Sequence, residues 1–352
     1  MAIGIIEPTR LEHIPPKHRD AHEVCFFLHD QIARLAVVYE QIGAGHIKVD
    51  LVSEEDVAAL ENAKDPIEFL IKTGRVEEER RLAINHICAA LFPDMLHFIF
   101  EGLKALEKRK FTVAFSLLRK PFKEAMPVLA MMCADEEDFV SSFRTGTSAY
   151  FDGENFNAPY KKELISDAIE ALGDVNFGDA DAIFDMCLNM KNEHGLAQLF
   201  DKATHLFTSH KPIRTEDYNI NFIFKDPRDN DVYDTTYYQL SYLLVFVHLM
   251  QVELLSRTGF DKKNYLSGFM MSALGAFDSV HGKGPSEVVK SVNENFSDLM
   301  GCGVCGHRVR LKKRDAARFF LLERINCSNC GNESQFPFTW LLDQAARESA
   351  PG

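Results

Sequence analysis

Apolar positions recur every third or fourth residue through most of this chain, and that spacing predicts α-helices. Over Asp20–Ile42, Cys25, Leu28, Ile32, Leu35 and Tyr39 share one face, and Gly43 supplies the stop. Ser53-Glu-Glu-Asp56 reads as a capping box for a short helix, and Asp65-Pro66 opens another with proline in the first turn. Val76–Leu91 and Pro93–Lys108 predict a helical pair interrupted at Pro93. Phe111–Ala134 predicts a buried helix kinked at Pro121 and Pro127. Periodicity lapses over Arg144–Pro159, which divides an N-terminal helical lobe, residues 1–150, from a second lobe, residues 151–299. There, helices are expected at Tyr160–Leu172, Asp179–Met190, His194–Thr208, Asn264–Val280 and Pro285–Leu299, and Ile220–Phe224 reads as a strand or an extended plug. Tyr233–Leu255 is apolar nearly all round, so it should lie at the centre of the second half. The expected class is mainly α: a multi-helix body with a small β module over residues 300–352.

That module carries the strongest chemistry. Cys302-Gly-Val-Cys305-Gly and Cys327-Ser-Asn-Cys330-Gly are two CxxC knuckles separated by 21 residues. Four soft thiolates in two tight turns suit tetrahedral zinc, and with every position filled by protein the single metal is structural. Gly306 and Gly331 follow the second cysteine of each pair, where positive φ turns amides toward the sulfurs. Between and after the knuckles, His307–Lys313, Arg318–Ile325 and Ser334–Trp340 read as three short strands. Gly301–Gly306 also spells GxGxxG, but cysteines fill two of its variable positions and a basic segment follows, unlike a dinucleotide fingerprint.

Charge divides the chain in the same place. The 352 residues carry a net charge of −13, yet residues 301–352 hold eight Lys/Arg against five Asp/Glu, leaving −16 on the body. An acidic body repels nucleic acid over most of its surface, so phosphate contact would be local. Cys25, Cys88, Cys133 and Cys187 sit singly in apolar stretches, as small buried hydrophobes do, which argues for a reducing compartment. Met1–Arg19 has no apolar core of the signal-peptide kind, and the longest apolar run, Leu240–Met250, is far shorter than the roughly 20 residues of a membrane span. The expected location is the cytoplasm, with no membrane partner.

On the module, Arg308, Arg310, Lys312, Lys313 and Arg318, with His307, Arg314 and Arg324, alternate with Phe319, Phe320, Phe336, Phe338 and Trp340. Over about 40 residues this resembles the zinc ribbons of transcription and translation proteins, which implies backbone contact and base stacking with nucleic acid. The plainer alternative puts the aromatics in the module's core, or in its contact with the body, and the cations against the acidic body.

In the body, Arg81-Leu-Ala-Ile-Asn-His86 resembles the R-x4-6-H motif of the HEPN superfamily, helical proteins that include metal-independent ribonucleases of toxin and defence systems. The resemblance implies catalysis by Arg81 and His86 on the scissile phosphate and 2′-hydroxyl, usually across a homodimer. The plainer alternative pairs Glu77 with Arg81 at i,i+4. His205 and His210 stand about 140° apart on a helix and read as helix-end residues rather than a shared metal site. The cations from Lys104 to Lys123 read as a solvated face, and His281-Gly-Lys-Gly284 as a helix-ending turn. The leading expectation is a zinc-stabilised, non-catalytic protein that binds nucleic acid or a protein partner; the rival is a HEPN-like ribonuclease.

Overall fold

The computed structural model describes residues 3–145, 157–173, 177–221 and 230–348. Most of the expected boundary segment and most of the candidate plug at Ile220–Phe224 lie outside the described residues. The chain enters through residues 3–6, whose four successive N–H groups donate to the buried carboxylate of Glu23 at 2.5–3.1 Å. A carboxylate so surrounded is fully bonded without a counter-cation, and it pins Ile3 and Ile6 into the core.

Glu23 lies on α1 (Arg19–Gln41). Two short helices follow, α2 (Glu54–Glu61) and α3 (Pro66–Lys72), each capped as its sequence requires: Ser53 Oγ accepts from Asp56 N at 3.1 Å, and Asp65 Oδ1 from Glu68 N at 2.8 Å. The long helix α4 (Val76–Glu107) runs unbroken through Pro93, so the expected interruption there does not occur. A mid-helix proline costs about 3 kcal/mol; burial of Phe92, Met95, Leu96, Ile99 and Leu103 around it outweighs that loss. Pro121 and Pro127 do mark a break. Helix α5 (Phe111–Arg119) widens into a π-turn at Lys120–Ala125 before α6 (Met126–Ala134).

Helices α7 (Glu136–Arg144), α8 (Ala158–Ala171), α9 (Ala180–Cys187) and α10 (Leu196–Thr204) lead to α11 (Asp231–Ser256). As its composition predicts, α11 is buried on nearly every side, and α1, α6 and α12 (Lys262–His281) pack on it. Helices α4 and α11 are both long and apolar enough to cross a membrane by composition; 83% of the apolar window of α11 is buried inside the protein, against 44% for α4. Helix α13 (Glu287–Asn295), started by a Ser286 cap, leads into the cysteine-rich end. One apolar cluster runs from α1 through α11 and α12 to Phe338.

Burial depresses three imidazoles, His22 and His248 inside this core and His281 half-buried at the end of α12. Burial pushes His248 down to about 3 and His281 to about 4; it also lowers His22 against the pull of Glu107. His248 and His281 stay neutral in the fold down to pH 5, and His22 is shifted the same way, whereas an unfolded chain protonates all three below about pH 6.5. Their contribution is complete above that pH and is lost as pH falls, by up to about 1.4 kcal/mol per pH unit for each group. Melting temperature should therefore drop steadily from pH 7 to pH 5, and His248→Gln should flatten the slope; equal slopes for variant and wild type would contradict this account.

Candidate metal centre

The two knuckles share one backbone design. Cys302 N donates to His307 O and Gly306 N to Cys302 O, both at 2.9 Å; Cys327 N donates to Asn332 O and Gly331 N to Cys327 O, also at 2.9 Å. Each loop closes at its glycine, Gly306 at φ 68° and Gly331 at φ 72°, where a β-carbon would be strained. The loops face each other. Cys302 Sγ stands 3.6 Å from Cys330 Sγ, Cys305 Sγ 3.6 Å from Cys327 Sγ, and all four sulfurs lie within 4.8 Å of one another. A tetrahedron with Zn–S bonds of about 2.3 Å has S–S edges of about 3.8 Å, whereas a disulfide would need about 2.05 Å. The donor set therefore fits one zinc ion, held by Cys302, Cys305, Cys327 and Cys330, with no position open to substrate.

Backbone N–H groups prepare two of the sulfurs as thiolates. The His307 N–H, with the Asn329 amide beside it, draws Cys305 down to about 6; the N–H groups of Cys305 and Val304 lower Cys302. The Asn332 N–H acts in the same sense on Cys330, but its sulfur neighbours outweigh it and hold that thiol up at about 12. Four thiolates this close repel one another, and a divalent cation removes that repulsion.

Of the three expected strands, only the end of the second and the start of the third form. Lys313–Leu322 is a helix, α14, because Ala316, Ala317, Phe319 and Phe320 fall on one helical face. The only paired strands among the described residues are β1 (Arg324–Asn326) and β2 (Glu333–Gln335), antiparallel across the second knuckle. Of the expected strand His307–Lys313, Lys313 already belongs to α14, and the rest bridges another segment only at Gly301–Arg308. From Phe338 the chain is helical again, α15 (Phe338–Glu348), its first turn held by Glu323 Oε1 accepting from Thr339 N at 2.6 Å.

The aromatic residues are spent on packing. Phe319, Phe320, Phe336 and Phe338 are buried against one another and Phe296; Trp340 alone is open, at 57% exposure. Two glycines on one face of α12 receive the module: a β-carbon at Gly275 would lie 2.5 Å from the Phe320 ring, and one at Gly268 2.9 Å from Thr339. The cations divide. Lys313 Nζ donates to the carbonyls of Gly282 (2.8 Å) and Gly284 (2.7 Å), in the turn that follows α12. Arg318 and Arg324 both grip Glu333, at 2.8 and 2.7 Å. Arg308 reaches Asp298 and the Ser297 carbonyl. Arg310 and Lys312 remain exposed.

Arg81 and His86 are not brought together. The Arg81 guanidinium forks onto the buried carboxylate of Glu136 at 2.6 and 3.3 Å, with Arg257 on the other side at 3.1 Å, while His86 is exposed. Glu77 pairs with Arg80 rather than Arg81. Most of the basic run from Lys104 to Lys123 is paired locally: Lys104 with Glu101, Arg119 with Glu124, Lys120 with Asp94 and Lys123 with Asp201. No protein-family model, curated protein or solved structure matches this chain, and none supports the HEPN resemblance.

Two outcomes are expected. Elemental analysis should find one zinc per chain and none in Cys305→Ser/Cys327→Ser, whose melting temperature falls because metal binding supplies about 10–16 kcal/mol in small zinc modules. Arg81→Ala should destabilise by about 1–3 kcal/mol in denaturant titration by weakening a buried ion pair, whereas His86→Ala should leave stability within about 0.5 kcal/mol of wild type.

Proposed function

We propose that this protein is a zinc-stabilised, non-catalytic binding protein whose partner is a nucleic-acid strand, held through its phosphates beside the first knuckle. The observation that carries this reading is a groove of ≈ 460 Å³ between α13 and the non-helical residues 308–312 that lead into α14. Lys290, Arg308, Arg310 and Lys313 line it with the acid Glu294; Lys290 and Arg308 also pair with Glu287 and Asp298, and Arg310 is in no ion pair among the described residues. The groove wall is held in place from within the fold. Asn293 donates to Leu311 O and accepts from Leu311 N, at 2.9 and 2.8 Å, so the basic segment stays extended beside the helix.

Buried phenylalanines leave little for base stacking, so recognition is of the backbone and is weakly dependent on sequence. The acidic body confines the strand to this end of the molecule. The metal's part is architectural: its four protein ligands fix the knuckle from which the basic segment departs. Arg81, committed to Glu136, gives the ribonuclease reading no support.

Single-stranded RNA or DNA should bind with salt-dependent affinity, and Arg310→Glu/Lys312→Glu should weaken it on the order of tenfold or more. The double variant should also lower the slope of log K against log salt by about 1.4, at about 0.7 for each lost phosphate contact. Binding that is unchanged in strength and slope would remove this groove from recognition.

A further inference from the structure

Three segments remote in sequence converge on a second polar cavity, of ≈ 580 Å³, that shares no lining residue with the groove. Lys17 and His18 come from the turn before α1; Asp234, Tyr237 and Tyr238 from the first two turns of α11; His281 and Lys283 from the end of α12. Asp234 Oδ1 lies 2.7 Å from Lys17 Nζ and 3.0 Å from His18 Nε2. Lys17 matches the charge of Asp234, and Lys283, in no ion pair among the described residues, leaves the cavity positive.

Its inner wall is firmly built. Tyr237 Oη is 2.9 Å from His22 Nδ1, His22 Nε2 is 3.3 Å from Glu107 Oε1, and the Arg10 guanidinium forks onto the same carboxylate. Tyr233 stacks on Tyr237 with centroids 5.5 Å apart. His281 Nε2 rests 3.4 Å from Ser241 Oγ, and the imidazole stands edge-on to Tyr238, which is 42% exposed at the rim.

We propose that this cavity binds a small phosphomonoester carried on a planar ring. Two ammonium groups and two imidazoles reach it from three directions, which suits an oxyanion with three terminal oxygens better than a planar carboxylate. Asp234 keeps Lys17 and His18 in place. The exposed Tyr238 ring offers a face for the ligand's planar part. This assignment is independent of the nucleic-acid groove.

Calorimetric titration of the full chain with phenyl phosphate, inorganic phosphate and benzoate tests it. Phenyl phosphate should bind most tightly. Lys283→Glu should weaken both phosphates on the order of tenfold, and Tyr238→Ala should weaken phenyl phosphate severalfold while leaving inorganic phosphate unchanged. Arg310→Glu/Lys312→Glu should bind phenyl phosphate like wild type, whatever it does to nucleic acid. Both substituted cavity residues are exposed, and circular dichroism confirms that the variants fold. Benzoate binding as tight as phenyl phosphate, no measurable heat with phenyl phosphate, or a folded Lys283→Glu protein with unaltered affinity would overturn the proposal.

Discussion

The C-terminal part of this protein depends on four sulfurs being held at the corners of one tetrahedron. Each knuckle is closed by two backbone hydrogen bonds and a positive-φ glycine, but nothing in that local geometry brings one knuckle to the other. One metal ion bound by both would do so, and α14 lies in the loop it would close, ended by Glu323 at φ 54°. Helix α14 then lies with Phe320 over Gly275, so close that a methyl group there would meet the ring at 2.5 Å. A steric requirement on α12 and a coordination requirement at the cysteines thus act on the same ten-residue helix.

Charge follows from that placement. A basic module beside an acidic body could bind the body or a foreign polyanion, and this one divides its cations between the two. Lys313 bonds two carbonyls just past the end of α12, where a helix dipole is negative and favours a cation. Arg318 and Arg324 share Glu333. The cations left facing solvent lie on the extended stretch that leaves the first knuckle, where the fold gives them no acid of their own.

The body shows the same economy with its polar groups. Glu23, Glu107 and Glu136 are each buried, and each is surrounded by donors: backbone amides for Glu23, an arginine and a histidine for Glu107, two arginines for Glu136. For Glu107, burial alone would raise its carboxyl, but the bonds from His22 and Arg10 more than offset this and leave it below the ordinary carboxylate range. A buried charge needs such partners, because an unpaired one would cost several kcal/mol. Arg81 is one of those partners, its guanidinium held on Glu136 while His86 lies exposed.

The sequence by itself determined the helices and the metal. Periodicity located α1 and α11 to within a few residues, side-chain caps marked α2 and α3, and two CxxC pairs with trailing glycines specified a closed thiolate site, since all of these are local relations. Tertiary structure decided what local relations leave open. Pro93 is tolerated because neighbouring side chains are buried on both sides of it. Lys313–Leu322 is a helix because its alanines and phenylalanines meet α12, although a strand was the expectation between knuckles. The polar cavity joins residues near 17, 234 and 283, and no spacing rule links positions so far apart. Which cations stay free was equally hidden, because a lysine's partner is set by the carbonyl or carboxylate that folding brings to it.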